Sequence, residues 1–175
     1  MKIFVDSGIF VEYIKGRQVD FYEYLITQGF ELFINQVVLS EFLFYYIATL
    51  GNKSPLSIKE SGGIANCFKK HNPLDMLPGI HVLEHTHETS YAVIDLMKRY
   101  NLLPNDALIF ASCLENQIEY LATFDSDFEL PCSNHGIKIL KKFGRYEKLC
   151  SGNLKESLPR QRNSKMSHPV NYFGR

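Results

Sequence analysis

The chain has 175 residues and a mass of 20.2 kDa, which is enough for one domain and too little for two of ordinary size. Hydrophobic residues make up 45% of it and the formal net charge is zero, which excludes a chain that is disordered throughout. No apolar run reaches the ~18–20 residues of a membrane span, and Asp6 interrupts what would be the apolar region of a signal peptide. We therefore expect a cytoplasmic protein with no membrane contact. The four cysteines are scattered, which predicts neither a disulfide framework nor a zinc site.

The charges are unevenly distributed along the chain. Residues 1–137 hold 9 Lys/Arg and 17 Asp/Glu, whereas residues 138–175 hold 10 Lys/Arg and 2 Asp/Glu. An acidic body can hold a cation and a basic end can meet a phosphate backbone. A solvated surface and tail would give the same asymmetry, so both interpretations stay open at this point.

The first half of the chain alternates between short β-rich runs and helical patterns. Residues 1–5 form a predicted strand that stops at Asp6, and helices are predicted through 9–14 and 19–28. A second strand, 32–34, leads to an apolar stretch of about fourteen residues, which is too long for a typical strand and predicts a helix. This helix covers residues 37–50. Residues 56–70 form a weaker predicted helix that is doubtful at Gly62-Gly63, followed by a loop at 72–79.

The second half repeats the alternation. Strands are predicted at 80–84, 118–123 and 137–140, with helices at 88–100 and from Asn105 onward. The predicted apolar face of the helix at 88–100 consists of Tyr91, Ile94, Leu96 and Met97. This pattern predicts an α/β domain with a mostly parallel sheet of about five strands over residues 1–150. Residues 151–175 are predicted to form a basic, polar, flexible C-terminal arm.

Five carboxylates follow predicted strands or lie in the helices between them: Asp6, Glu41, Asp106, Asp125 and Asp127. In an open parallel sheet, ligands bind outside the carboxyl ends of the strands. Glu41 is the most informative, because a charge inside an apolar helix is costly to bury unless it is paired or binds a cation. Taken singly, each acid has an alternative explanation as a helix cap, a turn residue or part of a solvent-facing stripe. Together they would repel one another unless a divalent cation neutralised them, and hard oxygen ligands favour Mg²⁺ or Mn²⁺.

The ordered motifs resemble those of a known family. Asp6 lies in IFVDSGIF, Glu41 in VVLSEFLFY and Asp106 in LLPNDALIFASCLEN, and the run TFDSDF follows at 123–128. Over roughly residues 1–145 this set resembles the PIN-domain ribonucleases, including the VapC-like toxin nucleases of prokaryotic toxin–antitoxin pairs. The resemblance implies a three-layer α/β/α fold around a central, mostly parallel sheet, and cleavage of RNA that depends on Mg²⁺ or Mn²⁺.

The same resemblance implies roles for individual residues. The catalytic and metal-binding acids are Asp6, Glu41, Asp106 and Asp125, with Asp127 as an outer metal ligand or one that acts through water. The supporting residues are Ser7, Asn105 and Thr123. The implied reaction is hydrolysis by in-line attack of water on a phosphodiester, with one or two cations and with Asp6 accepting a proton.

Substrate phosphates have to approach an acidic pocket, so basic groups are needed at its rim. The candidate RNA-binding residues are Lys138, Lys141, Lys142 and Arg145. We also expect a homodimer and, if the chain is one half of a toxin–antitoxin pair, an antitoxin protein as partner. The high aromatic density of residues 10–46 would suit such an interface, and it would equally suit an ordinary core.

Other functions are less well supported by the sequence. Residues 81–85 spell HxxEH, the inverted zinc-protease pattern, but in a strand the two histidines would lie about 13 Å apart, too far for one zinc ion. A phosphoaspartyl hydrolase would need an acid two residues after Asp6, where Gly8 stands. The remaining alternative is a catalytically silent PIN-fold module that binds RNA or a protein, and the retention of all four acids argues against it.

Overall fold

Five short parallel strands form the central sheet of the computed structural model, which describes residues 1–69 and 72–141. The strands are β1 (Lys2–Val5), β2 (Glu31–Asn35), β3 (Ile80–Leu83), β4 (Tyr120–Ala122) and β5 (Lys138–Leu140). Their spatial order is β3-β2-β1-β4-β5. From β1 the chain adds β2 and β3 on one side of the sheet, and it then adds β4 and β5 on the other side. The order in which strands are added therefore reverses between β1 and β4.

Helices make the connections that parallel strands require. They are α1 (Ser7–Ile14), α2 (Val19–Thr27), α3 (Gln36–Gly51), α4 (Pro55–Glu60), α5 (Ile64–Phe68), α6 (His87–Tyr100), α7 (Pro104–Glu115) and α8 (Glu129–His135), with a 3₁₀ turn at Pro73–Met76. Right-handed crossovers that run in opposite directions from β1 place helices on opposite faces of the sheet. The predicted three-layer α/β/α fold with five strands is confirmed.

Three helical segments differ from the sequence prediction. The helix predicted at 56–70 is two helices, α4 and α5, separated where Gly62 adopts a positive φ of 67°. The predicted loop at 72–79 contains the 3₁₀ turn, which is capped because Asn72 Oδ1 accepts from Leu74 N at 3.1 Å. Helix α8 was not predicted, since it has only seven residues and contains Pro131.

The buried face of α6 also differs from the prediction. Tyr91 and Ile94 are 68% and 55% exposed, so their assignment to the apolar face is wrong. The residues of α6 that are buried are Thr89, Val93, Leu96 and Tyr100. Thr89 is tolerated in this position because its hydroxyl donates to Glu115 on α7, which satisfies a buried polar group.

Much of the aromatic density of residues 10–46 lies in the core. Phe10 is fully buried, and its ring centroid lies 5.2 Å from that of Phe42 and 5.8 Å from that of Tyr22. These rings join α1, α2 and α3 on one face of the sheet. Phe44 and Tyr45 are instead exposed on α3.

Cys67, Cys113 and Cys132 are buried free thiols. Within residues 1–69 and 72–141, no helix combines the length and apolarity needed to cross a membrane. Lys142, Arg145 and the predicted arm at 151–175 lie outside the described residues.

Candidate metal centre

The candidate site lies between β1 and β4, where the order of the strands reverses. Val5 is in register with Ala122, and the backbone N–H of Asp6 donates to the Ala122 carbonyl at 3.0 Å. The loops that follow these two neighbouring strands therefore start side by side. Crevices at such reversals, outside the carboxyl ends of the strands, are the usual binding sites of open α/β sheets.

One hydroxyl group links the two loops. Thr123 is completely buried, and its Oγ1 donates to Asp6 Oδ2 at 2.8 Å while accepting from the backbone N–H of Asp125 at 3.0 Å. Asp6 occupies the N-cap position of α1, but its carboxylate makes no N-cap hydrogen bond. Its side chain is therefore aimed at the crevice and at Thr123. The backbone N–H of Asp127 donates to Asp125 Oδ1 at 2.8 Å, which folds this loop back on itself.

Glu41 reaches the crevice from α3. The helix begins after Asn35, whose Oδ1 accepts from Val38 N at 3.0 Å, and Glu41 lies beside the buried stripe at the edge of solvent. Its Oε2 accepts from Ser7 Oγ at 2.7 Å and its Oε1 from Asn105 Nδ2 at 2.6 Å. These two bonds bring α1, α3 and α7 together around one carboxylate.

Three further carboxylates form a tighter group. One oxygen each of Asp106, Asp125 and Asp127 lie within 4.8 Å of one another. Asp106 comes from the first turn of α7, and the other two come from the loop after β4. Among the described residues, the three ion pairs involve Glu12 and Glu129 and do not reach this group. Its negative charge is therefore not balanced by a described lysine or arginine.

The acids also interact electrostatically across the whole crevice. The pKa of Asp6 is raised to about 6: burial is the largest cause, the charges of Glu41 and Asp125 also raise it, and the Thr123 hydroxyl and the Ser7 backbone N–H lower it. The pKa of Asp106 is likewise raised to about 6, mainly by burial and also by the charges of the four other acids. Five mutually repelling carboxylates that offer only oxygen atoms fit a hard divalent cation.

Comparison with known proteins identifies the family. A profile of the PIN domain matches residues 3–132. The chain belongs to the PIN-domain family. Ribonuclease VapC2 of Methanocaldococcus jannaschii is 32% identical over 130 residues, which cover 73% of this chain and 87% of that protein. Ribonuclease VapC6 of the same organism is 33% identical over 138 residues, which cover 73% of this chain and 90% of that protein.

Solved structures share the PIN-domain fold at low sequence identity. A toxin–antitoxin complex from Klebsiella pneumoniae contains a chain with a TM-score of 0.54 and 16% identity, with 79% of this chain and 96% of that chain covered. VapBC2 from Rickettsia felis, bound to a DNA fragment from its promoter, gives a TM-score of 0.52 and 15% identity, with 80% and 98% covered. These likenesses support the fold.

The structure brings together all eight predicted acids and supporting residues of this PIN domain, with one difference in their grouping. Asp127, predicted as an outer ligand, belongs to the tight group with Asp106 and Asp125. Asp6 and Glu41 lie outside that tight group and are held by hydrogen bonds. The catalytic roles of these residues stay a prediction.

The two described lysines of the predicted RNA-binding set, Lys138 and Lys141, contact residues other than the five acids. Lys138 begins β5, in register with Tyr120, and its ammonium lies 5.4 Å from the centroid of the Tyr120 ring. This is the amino end of the strand, away from the carboxyl edge that carries the acids. Lys141 pairs with Glu129. An RNA-binding role for these lysines stays a prediction.

The HxxEH segment belongs to a strand and its end in this PIN domain. His81 lies in β3, with its ring centroid 5.3 Å from that of Phe33, and His85 Nε2 lies 3.1 Å from Asn35 Nδ2. The inverted zinc-protease arrangement requires both histidines on one helical face, which β3 does not provide.

Asn35 supports the site indirectly, through the helix that carries Glu41, and was not predicted from the sequence. It is completely buried, caps the helix that carries Glu41, and donates from Nδ2 to Ser112 Oγ at 3.0 Å. The available signal was an asparagine directly before an apolar helical stretch, which is typical of an N-cap.

Proposed function

We propose that this PIN domain is an endoribonuclease that hydrolyses RNA phosphodiesters and depends on Mg²⁺ or Mn²⁺. The observation that carries the proposal is the convergence of five carboxylates at the reversal of the sheet, three of them with oxygens within 4.8 Å. The names of the two archaeal relatives, both ribonucleases of the VapC group, support the same activity.

In this proposal each residue has a defined task. Asp106, Asp125 and Asp127 would hold a cation, and Asp6 and Glu41 would add to the negative charge of the site. A bound divalent cation would supply Lewis-acid polarisation of the phosphodiester and charge stabilisation for the departing oxygen. Asp6, which lies in the crevice and is oriented by the Thr123 hydroxyl, would accept a proton from the attacking water.

The expected partners follow from the relatives and remain part of the proposal. Two similar solved structures are described as toxin–antitoxin assemblies, which supports an antitoxin protein as a partner of this chain. A homodimer, a cytoplasmic location, RNA contacts from Lys138, Lys141, Lys142 and Arg145, and a nuclease domain at 1–150 followed by a basic arm at 151–175 are retained as predictions.

The test is a cleavage assay with the full chain on structured and unstructured RNA, in EDTA and after addition of Mn²⁺ or Mg²⁺. We expect no cleavage in EDTA and recovery with the cation. Asp106→Asn removes one negative charge from the tight group, so both cleavage and Mn²⁺ binding measured by calorimetry should fall.

Asp95→Asn is the matched control, because Asp95 is an exposed acid on α6. It should cleave like the wild type. RNA binding without turnover in any cation would favour the catalytically silent module instead. Equal cleavage by a well-folded Asp106→Asn variant would contradict the proposed site.

A further inference from the structure

Glu41 is held at both of its oxygens by neutral side chains. Ser7 Oγ donates to Oε2 at 2.7 Å and Asn105 Nδ2 donates to Oε1 at 2.6 Å. The Ser7 distance is ordinary for a hydroxyl that donates to a carboxylate, and the Asn105 distance is short for an N–H donor. Because a carboxylate oxygen accepts hydrogen bonds, the amide of Asn105 has to present its NH₂ group to Glu41.

The local structure of α7 does not explain an asparagine at this position. The helix starts at Pro104 with Leu103 as its N-cap, so Asn105 lies one residue inside the helix. Asparagine is favoured at the N-cap itself and is a mediocre helix former elsewhere. Asn105 is also exposed, so burial does not explain it either. Its described hydrogen bond is the one to Glu41, 64 positions earlier in the chain.

Glu41 needs such a restraint because its neighbours repel it. Asp6 and Asp106 both interact unfavourably with its charge, and Glu41 is partly exposed on a flexible side chain. Without a donor it would gain solvation by turning away from the crevice. A lysine or arginine would restrain it too, but would also cancel the negative charge that a cation requires. A neutral amide restrains the carboxylate and leaves its charge in place.

We propose that Asn105 is a positioning residue that, together with Ser7, fixes the Glu41 carboxylate at the acidic crevice without neutralising it. The proposal rests on the ribonuclease function proposed above, since it assigns Asn105 a task that acts through Glu41. Partners that orient the ligands of a metal site are typically worth about 10- to 100-fold in metal affinity or activity.

The decisive experiment is a double-mutant cycle on the full chain with Asn105→Ala, Glu41→Gln and the combined variant. The measurements are the Mn²⁺ dissociation constant by calorimetry, kcat and KM for RNA, and the melting temperature. Asn105→Ala should weaken Mn²⁺ binding and lower kcat by about 10- to 100-fold, with KM and melting temperature nearly unchanged. Adding Asn105→Ala to Glu41→Gln should cause no further loss, because the positioned group is already gone.

Asn116→Ala is the matched control, since Asn116 follows α7 at its other end and donates to the Ser112 carbonyl at 2.9 Å. It should retain wild-type Mn²⁺ affinity and kcat. Wild-type values in Asn105→Ala, or losses that multiply in the combined variant, would overturn the positioning role alone. A wild-type chain that neither binds Mn²⁺ nor cleaves RNA would overturn the proposed function, and the role of Asn105 with it.

Discussion

The substitution Asp6→Asn is expected to change the stability of the fold and the proposed RNA cleavage in opposite directions. Asp6 is 8% exposed, and burial raises its pKa from an ordinary 3.8 to about 6. Asparagine has nearly the same shape, carries no charge and keeps an oxygen that accepts the Thr123 hydroxyl. We therefore expect the metal-free Asp6→Asn variant to be more stable than the wild type at neutral pH while losing RNA cleavage.

The magnitude follows from the linkage between proton binding and folding. With a pKa of about 6 in the folded chain and 3.8 in the unfolded chain, the folded state binds the proton more tightly. The contribution of Asp6 to the free energy of unfolding therefore falls as pH rises from about 4 to about 6, by about 1.4 kcal/mol per pH unit, and is level above that range. Asp6→Asn avoids this loss, so its advantage is about 3 kcal/mol at about pH 7.5 and vanishes near pH 4.

Urea unfolding in EDTA, followed by circular dichroism across this pH range, measures the difference directly. Asp95→Asn on α6 serves as the control for removing an exposed acid. Saturating Mn²⁺ should reduce or reverse the difference, because a cation that binds the folded wild type stabilises it by mass action. The reasoning would be refuted if Asp6→Asn were no more stable than the wild type at about pH 7.5, or if the difference were the same at about pH 4.

Three further substitutions test other contacts. Asn35→Ala removes the cap of α3 and leaves the buried Val38 N–H without its acceptor, so urea unfolding should show a loss of about 2–3 kcal/mol, and a loss below about 0.5 would contradict the capping role. The hydroxyls of Thr86 and Thr89 lower the pKa of Glu115, which adds stability above pH 4.5 that is lost as pH falls. Glu115→Gln should therefore flatten the acid side of the stability curve, and an unchanged slope would argue against this contact. Lys141→Ala breaks only an exposed ion pair, so unfolding should change by less than about 1 kcal/mol, while a higher KM for RNA would support its predicted rim role and an unchanged KM would count against it.

The alternation of strands and helices was predictable, because short and long apolar runs alternate along the chain. The face of α6 that is buried was predicted wrongly. Apolar residues stand on more than one side of this helix: Val93, Leu96 and Tyr100 share the buried face at helical spacing, and Tyr91 and Ile94 share another side with Lys98. The buried face includes Thr89, which is polar and becomes acceptable only because Glu115 of α7 accepts its hydroxyl. A pattern based on hydrophobicity alone cannot detect a partner 26 residues away.

The acids of the site were predictable because each stands at a recognisable place, such as the residue after a strand or the first turn of a helix. Their grouping was not, because it depends on distances between elements. Asp127 lies close to Asp125 because its backbone N–H donates to the Asp125 carboxylate, which folds the loop tightly. The sequence contains the DSD spacing but not the conformation that brings both carboxylates toward Asp106.

The bond between Asp6 and Thr123 spans 117 positions of the chain, and it has a consequence for the time at which the crevice forms. During synthesis Asp6 and Glu41 emerge from the ribosomal exit tunnel early. Strand β4, which pairs with β1 on the side of the crevice, emerges only after residue 122 has been added and has passed through the tunnel. A chain that stops before residue 122 therefore carries three of the five acids (Asp6, Glu41 and Asp106) and lacks the loop that completes the crevice. On the proposed function, an enzyme that destroys RNA becomes active only after β4 and the loop with Asp125 and Asp127 have left the ribosome.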